Sequence, residues 1–121
     1  MGTAIRSDHG VPGTTVLDDA EQLSLRTNVD GHTATVEASG ELDIYTSGRL
    51  LAVTEQLCEH ALDEIVVHGE ELSFVDSAGL RALVLAHDRA SLQGIDLRVG
   101  SASDALDKVL TMTGLDELLG R

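Results

Sequence analysis

Two stretches alternate polar and apolar residues with a period of two, and a chain-reversing dipeptide separates them. Leu23-Ser24-Leu25-Arg26-Thr27-Asn28-Val29 is the first, and Thr33-Ala34-Thr35-Val36-Glu37-Ala38 is the second. Asp30-Gly31 lies between them, a pair favoured in tight hairpin turns because both central residues take positive φ. The fold therefore starts from an antiparallel hairpin with one covered face, its second strand ending at Gly40. Downstream the pattern changes. Gly40-Glu41-Leu42-Asp43 reads as a loop, and Thr46 or Ser47 caps a helix running to about His60. Leu50, Val53, Leu57 and Ala61 form the apolar face of that helix. Ile65-Val66-Val67-His68 is an apolar, β-branched run typical of a strand covered on both sides, and Gly69-Glu70-Glu71 breaks it.

The stretch Leu72-Ser73-Phe74-Val75-Asp76-Ser77-Ala78-Gly79-Leu80 reads as the end of a buried segment, a sharp turn and a helix start. That helix spans about Ser77 to Leu92 with Leu80, Leu83 and Val84 inward, and Gly94 stops it. Asp96 to Val99 is the next strand. Ser101 to Asp104 resembles a capping box opening a helix with Leu106, Val109 and Leu110 inward, which Gly114 ends. A last turn packs Leu115 and Leu118. The order β, β, α, β, α, β, α predicts an α/β domain with a mixed sheet, parallel after the hairpin. Residues 1–21 lack sustained periodicity and read as a flexible tail, with a short strand near Thr15–Leu17 left open, so the domain is residues 22–121.

Composition narrows the function. Aromatic residues are 2% of the 121, Tyr45 and Phe74 alone, so the core must be aliphatic. A formal net charge of −13 argues against nucleic acid and anionic membrane, which need a basic footprint. The one cysteine, Cys58, permits no intrachain disulfide and falls on an apolar helix face, a buried thiol more than a redox centre. No apolar run reaches the ~18 residues of a membrane span. Met1 to Leu17 carries no continuous apolar segment of the secretory kind. A cytoplasmic protein is expected. The five histidines, His9, His32, His60, His68 and His87, are scattered without ligand spacing. No glycine-rich phosphate loop or dinucleotide fingerprint is present, so neither metal nor cofactor is expected.

Asp76-Ser77 is the strongest chemical candidate, and three readings of it stand open. Ser77 caps a helix, a role worth ~1 kcal/mol over Ala. It is a nucleophile on a strand-turn-helix elbow, but Val75 stands where that motif has glycine, and neither His68 nor His87 is fixed as a base. Or it is a phospho-acceptor at a helix N-terminus, where added charge need not unfold the domain. Asp43 is the second candidate: it follows a strand at its carboxyl end, so it can share a rim with Ser77. Its bland alternative is an exposed loop acid.

Three segments coincide with one family. Gly40-Glu41-Leu42-Asp43, then Leu72 to Leu80, then Val109-Leu110-Thr111-Met112-Thr113-Gly114-Leu115 resemble the STAS domain of bacterial anti-sigma factor antagonists, over about Leu23 to Leu119. The resemblance implies a four- to five-stranded mixed β-sheet with helices packed mainly on one side. It implies a non-enzymatic regulator of transcription whose unphosphorylated form binds an anti-sigma factor and frees the sigma factor. That anti-sigma factor has serine kinase activity and inactivates the antagonist. A PP2C-type phosphatase resets the cycle. The family's phosphoserine maps onto Ser77 and its acidic loop residue onto Asp43. The partner-binding set is then Asp43, Asp76, Ser77, Ala78, Gly79 and Leu80. Ala78 removes an alternative acceptor often found beside the phosphoserine, and His68 departs from the usual Asp or Asn. A STAS scaffold module of a stress-signalling assembly is the alternative, and a small serine hydrolase a more distant one.

Overall fold

The computed structural model describes residues 14–19, as backbone, and 22–120. The elements are β1 (Thr14–Asp19), β2 (Leu23–Asp30), β3 (Thr33–Leu42), α1 (Ser47–Leu57), β4 (Glu64–Val75), α2 (Ser77–Leu92), β5 (Asp96–Ala102) and α3 (Asp104–Thr113). They build one five-stranded sheet in the order β1-β2-β3-β4-β5. β1 and β3 pair antiparallel with β2, whereas β3, β4 and β5 run parallel. The chain is thus α/β with a mixed sheet.

Strand order explains why the helices share one side. Both parallel crossovers, β3-α1-β4 and β4-α2-β5, step one strand in the same direction. Right-handed crossovers of that kind place both helices on one face. The inward residues are Leu23 and Leu25 on β2, Ala34 and Val36 on β3, Ile65 and Val67 on β4, and Leu97 and Val99 on β5. Leu50, Val53 and Leu57 of α1, Leu80, Leu83, Ala86 and Ala90 of α2, and Leu106 and Leu110 of α3 close the same aliphatic cluster. Val66 is buried yet lies outside that cluster, on the opposite face beside Thr35 and Arg98. Helices therefore cover β4 on one face, not on both as its apolar run suggested.

Several boundaries differ from the sequence reading for physical reasons. β3 does not stop at Gly40 but continues to Leu42, with a register shift between Gly40 and Glu41. Gly40 has φ +110°, and a Cβ there would lie 2.2 Å from the Gln22 carbonyl oxygen. Glycine here permits a positive φ and a close approach to β2 rather than an end, and the extra residue of the shift lies on β4. β4 likewise runs through Gly69-Glu70-Glu71 to Val75, and one extra residue is absorbed where Glu37 pairs His68 but Ser39 pairs Glu71. α1 ends at Leu57, leaving Ala61 exposed beyond it. Thr14–Asp19, grouped with the tail although a short strand near Thr15–Leu17 stood open, is a strand of the sheet. The rest of the expected tail, residues 1–13, 20 and 21, lies outside the described residues.

At the other end, Leu119 rather than Leu118 is the buried residue of the final turn, 0% against 43% exposed. The Leu119 carbonyl accepts from the Val99 N–H at 2.8 Å, so the turn docks on the outer edge of β5. Leu119→Ala is expected to cost about 2–5 kcal/mol, the range for emptying a buried leucine site. Leu118→Ala should stay within about 0.5 kcal/mol. Urea unfolding of the two variants measures the difference, and equal midpoints would contradict this packing.

Candidate functional site

The carboxyl ends of β3 and β4 meet in register, Leu42 opposite Val75. The next residue on each strand is an acid, Asp43 and Asp76. The Asp76 N–H donates to the Leu42 carbonyl at 3.2 Å, carrying the ladder one step into the turn. The chain then enters α2 at once. Asp76 has an extended backbone (φ −105°, ψ −174°), and its carboxylate accepts from the Gly79 N–H at 2.9 Å. Asp76, not Ser77, is therefore the helix cap. An N-cap needs a non-helical backbone and an oxygen reaching the third helical N–H, and Asp76 supplies both. Ser77 becomes the first helical residue. It is exposed, and its hydroxyl makes no hydrogen bond to another described residue.

Gly79 sets how closely α2 approaches the sheet. A Cβ at Gly79 would lie 2.4 Å from the Leu42 carbonyl oxygen and 2.8 Å from its Cγ. Only a glycine lets the first turn of α2 rest on the end of β3. Leu80, 7% exposed, follows it into the core. Of the six candidates, Asp43, Asp76, Ser77 and Ala78 thus reach the surface, while Gly79 and Leu80 hold them in place.

Asp43 is half-buried and organises the turn into α1. One of its carboxylate oxygens accepts from the N–H groups of Tyr45 and Thr46, at 2.9 and 3.0 Å. The Thr46 hydroxyl accepts from the Asp43 N–H and donates to the Glu41 carbonyl, both at 2.9 Å. Thr46 is 0% exposed, and these bonds satisfy its buried oxygen. Asp43 is thus more than an exposed loop acid: it locks the segment between β3 and α1 beside the start of α2.

The sequence reading missed an apolar group on this rim. Ile44 is 68% exposed, Tyr45 82% and Phe74 49%. Phe74 pairs with Glu41 and turns away from the core, whereas Leu72 and Val75 on either side of it are buried. The available signal was the count of aromatics: both flank the candidate acids, in a chain whose core uses none.

Neither proposed histidine base is near Ser77. His87 lies ten positions along α2, about 15 Å at 1.5 Å per residue, and bonds Asp88 at 3.2 Å. His68 lies on the open face of the sheet, bonded to the Ser101 hydroxyl at 2.9 Å. A hollow of about 470 Å³ on that face, lined in part by Arg26, Glu37, His68 and Glu71, does not include Asp43, Asp76 or Ser77. Among the described residues, no three His, Cys, Asp or Glu side chains gather as a metal would need. Cys58 is half-buried, and burial pushes its thiol pKa up, which lowers its thiolate content at neutral pH. Among the described residues, no helix is long and apolar enough to cross a membrane.

Comparison with known proteins matches residues 24–120 to the STAS domain family model. A Staphylococcus aureus protein named anti-sigma-B factor antagonist is 28% identical over 97 residues, spanning 80% of this chain and 90% of that one. The crystal structure of an anti-sigma factor antagonist from Mycobacterium paratuberculosis superposes with a TM-score of 0.73 at 19% identity, covering 85% of this chain and 87% of that one. The Bacillus cell-fate determinant SpoIIAA in its phosphorylated form gives a TM-score of 0.61 at 22% identity, covering 75% and 84%.

The division of labour at the turn is measurable. Asp76→Ala is expected to lose about 1 kcal/mol of stability with the cap. Ser77→Ala should stay within about 0.5 kcal/mol. Gly79→Ala should cost about 1–3 kcal/mol through forced overpacking and should shift the amide resonances of Leu42, Asp43 and Ser77. A stable Gly79→Ala protein with unmoved resonances would refute the close approach.

Proposed function

Because the chain belongs to the STAS domain family, we propose that it is an anti-sigma factor antagonist switched by phosphorylation of Ser77. The observation that carries this reading is the exposed Ser77 hydroxyl at the first position of α2, without a hydrogen bond to another described residue and beside two acids. A kinase can reach it without opening the fold. The name of the Staphylococcus aureus relative supports the assignment to sigma-factor control, and the phosphorylated form of the Bacillus neighbour supports a phosphate cycle.

In this proposal the unphosphorylated protein binds an anti-sigma factor in the cytoplasm and so frees a sigma factor. The anti-sigma factor is also the serine kinase, and a PP2C-type phosphatase removes the phosphate. The rim explains how one group reverses the outcome. Phosphate adds about −1.5 to −2 charges at Ser77, next to Asp76 and across the strand ends from Asp43. Crowding of like charge and the cost of desolvating the phosphate both oppose the complex. Asp76 keeps the cap, so the helix persists and the change stays at the surface. A coupling of about 2–3 kcal/mol weakens binding roughly 30- to 150-fold.

The test uses the anti-sigma factors of the host, purified with ATP. Phosphate mapped by mass to Ser77 supports the proposal, and phosphate elsewhere or none refutes it. Ser77→Ala is expected to keep wild-type affinity and persist in the complex, whereas Ser77→Asp should bind about 30-fold or more weakly. Equal affinity of all three forms would refute the switch.

A further inference from the structure

We propose that Ile44, Tyr45 and Phe74 are the apolar anchor by which this rim grips the anti-sigma factor, setting affinity independently of the charge at Ser77. The anchor rests on the function proposed for Ser77 and specifies the chemistry of the partner surface. That surface is an apolar recess bordered by basic side chains.

The first argument is placement. Other exposed large apolar residues sit singly: Leu92 at the end of α2, Met112 near the end of α3 and Leu118 in the final turn. Ile44, Tyr45 and Phe74 instead lie within three positions of strand ends that pair in register, with Phe74 opposite Glu41 and Leu42 opposite Val75. Tyr45 and Phe74 are also the only aromatic residues of the chain. An aliphatic core of this kind would gain from either ring, yet both stand in solvent. Exposed aromatics are costly unless something covers them, and they are over-represented where binding energy concentrates.

The second argument is rigidity. The Tyr45 N–H is held by the Asp43 carboxylate, and the neighbouring Thr46 is locked to Asp43 and Glu41. Next to Phe74, the Ser73 hydroxyl donates to the Gly40 carbonyl at 3.1 Å. The backbone carrying both rings is therefore ordered before any partner arrives, which lowers the entropic cost of association.

Charge complementarity identifies the border of the recess. Glu41 and Glu71 are exposed, Asp43 and Asp76 half-exposed, and Arg81, one turn into α2, is the exposed cation nearest to them in sequence. A partner that buries the rings must meet this acidic ring with Lys or Arg. Burial of uncharged rings contributes equally whether or not Ser77 carries phosphate. The anchor and the switch are thus separate contributions to binding.

Isothermal titration of an anti-sigma factor against Tyr45→Ser, Phe74→Ser and Leu92→Ser tests this, each with Ser77 and with Ser77→Asp. Tyr45→Ser and Phe74→Ser are each expected to weaken binding about 10- to 30-fold in both backgrounds. The ratio between the Ser77 and Ser77→Asp backgrounds should stay within about 3-fold of its original value, and added salt should weaken every complex. Leu92→Ser removes an equally exposed apolar side chain elsewhere and should leave Kd unchanged. Urea midpoints equal to wild type verify that the exposed sites are not structural. Wild-type affinity in both ring variants overturns the anchor, and a ratio that collapses with the rings overturns its independence from the switch. If the wild-type protein binds no anti-sigma factor, the proposed function itself fails and the anchor falls with it.

Discussion

The contact on which the site depends is that of the Leu42 carbonyl with the first turn of α2. It accepts the Asp76 N–H, and it lies where a side chain on Gly79 would have to go. One oxygen thereby fixes the end of β3, the end of β4 and the start of α2 relative to each other. Asp43 and Ser77 are far apart in sequence, and among the described residues neither side chain hydrogen-bonds the other's element. They share a rim because this joint holds their backbones together. The helices packed on one face of the sheet make the joint rigid, since α2 is pinned along its length by Leu80, Leu83, Ala86 and Ala90.

How much of the fold was legible in the sequence depends on how local each signal is. Asp30-Gly31 and the flanking alternation specify the hairpin because turn and pattern lie within one short segment. α2 was legible to its ends, with Asp76-Ser77 at its start and Gly94, at φ +75°, after it. The cap was not. Asp76 and Ser77 are both favoured caps, and only the extended backbone at Asp76 decides between them. Gly40 and Gly69 look like terminators in sequence, but paired neighbours carry both strands on: Gly69 lies in a bulge of β4, and Gly40 faces a second extra residue on β4. Each extra residue in β4 shifts the inside-outside parity beyond it, so Leu72 is buried after the first and Val75 after the second, and Phe74 between them faces out. Thr14–Asp19 carries only a weak strand signal around Thr15–Leu17 and pairs along the edge of β2.

The rim combines groups that act by different physics. Asp43 and Asp76 direct their hydrogen-bonding capacity inward, to Tyr45, Thr46 and Gly79, and so serve geometry before they serve recognition. Their charge remains, and it makes the surroundings of Ser77 unfavourable to more negative charge. Ile44, Tyr45 and Phe74 contribute area without charge. Under the function proposed above, a surface built this way binds through one set of residues and is regulated through another. The affinity of the complex can therefore drift over time without disabling its control.

Ser77 holds nothing else together. The residue before it caps the helix and the residue two after it sets the packing distance, so position 77 works as a socket in a finished frame. Any group placed there, by an enzyme or by a chemist, inherits a fixed address between two acids without contributing to the fold. That makes the position a suitable place for an environment-sensitive dye or a caged phosphate. It also allows the serine to be exchanged for threonine with little penalty to the domain that displays it.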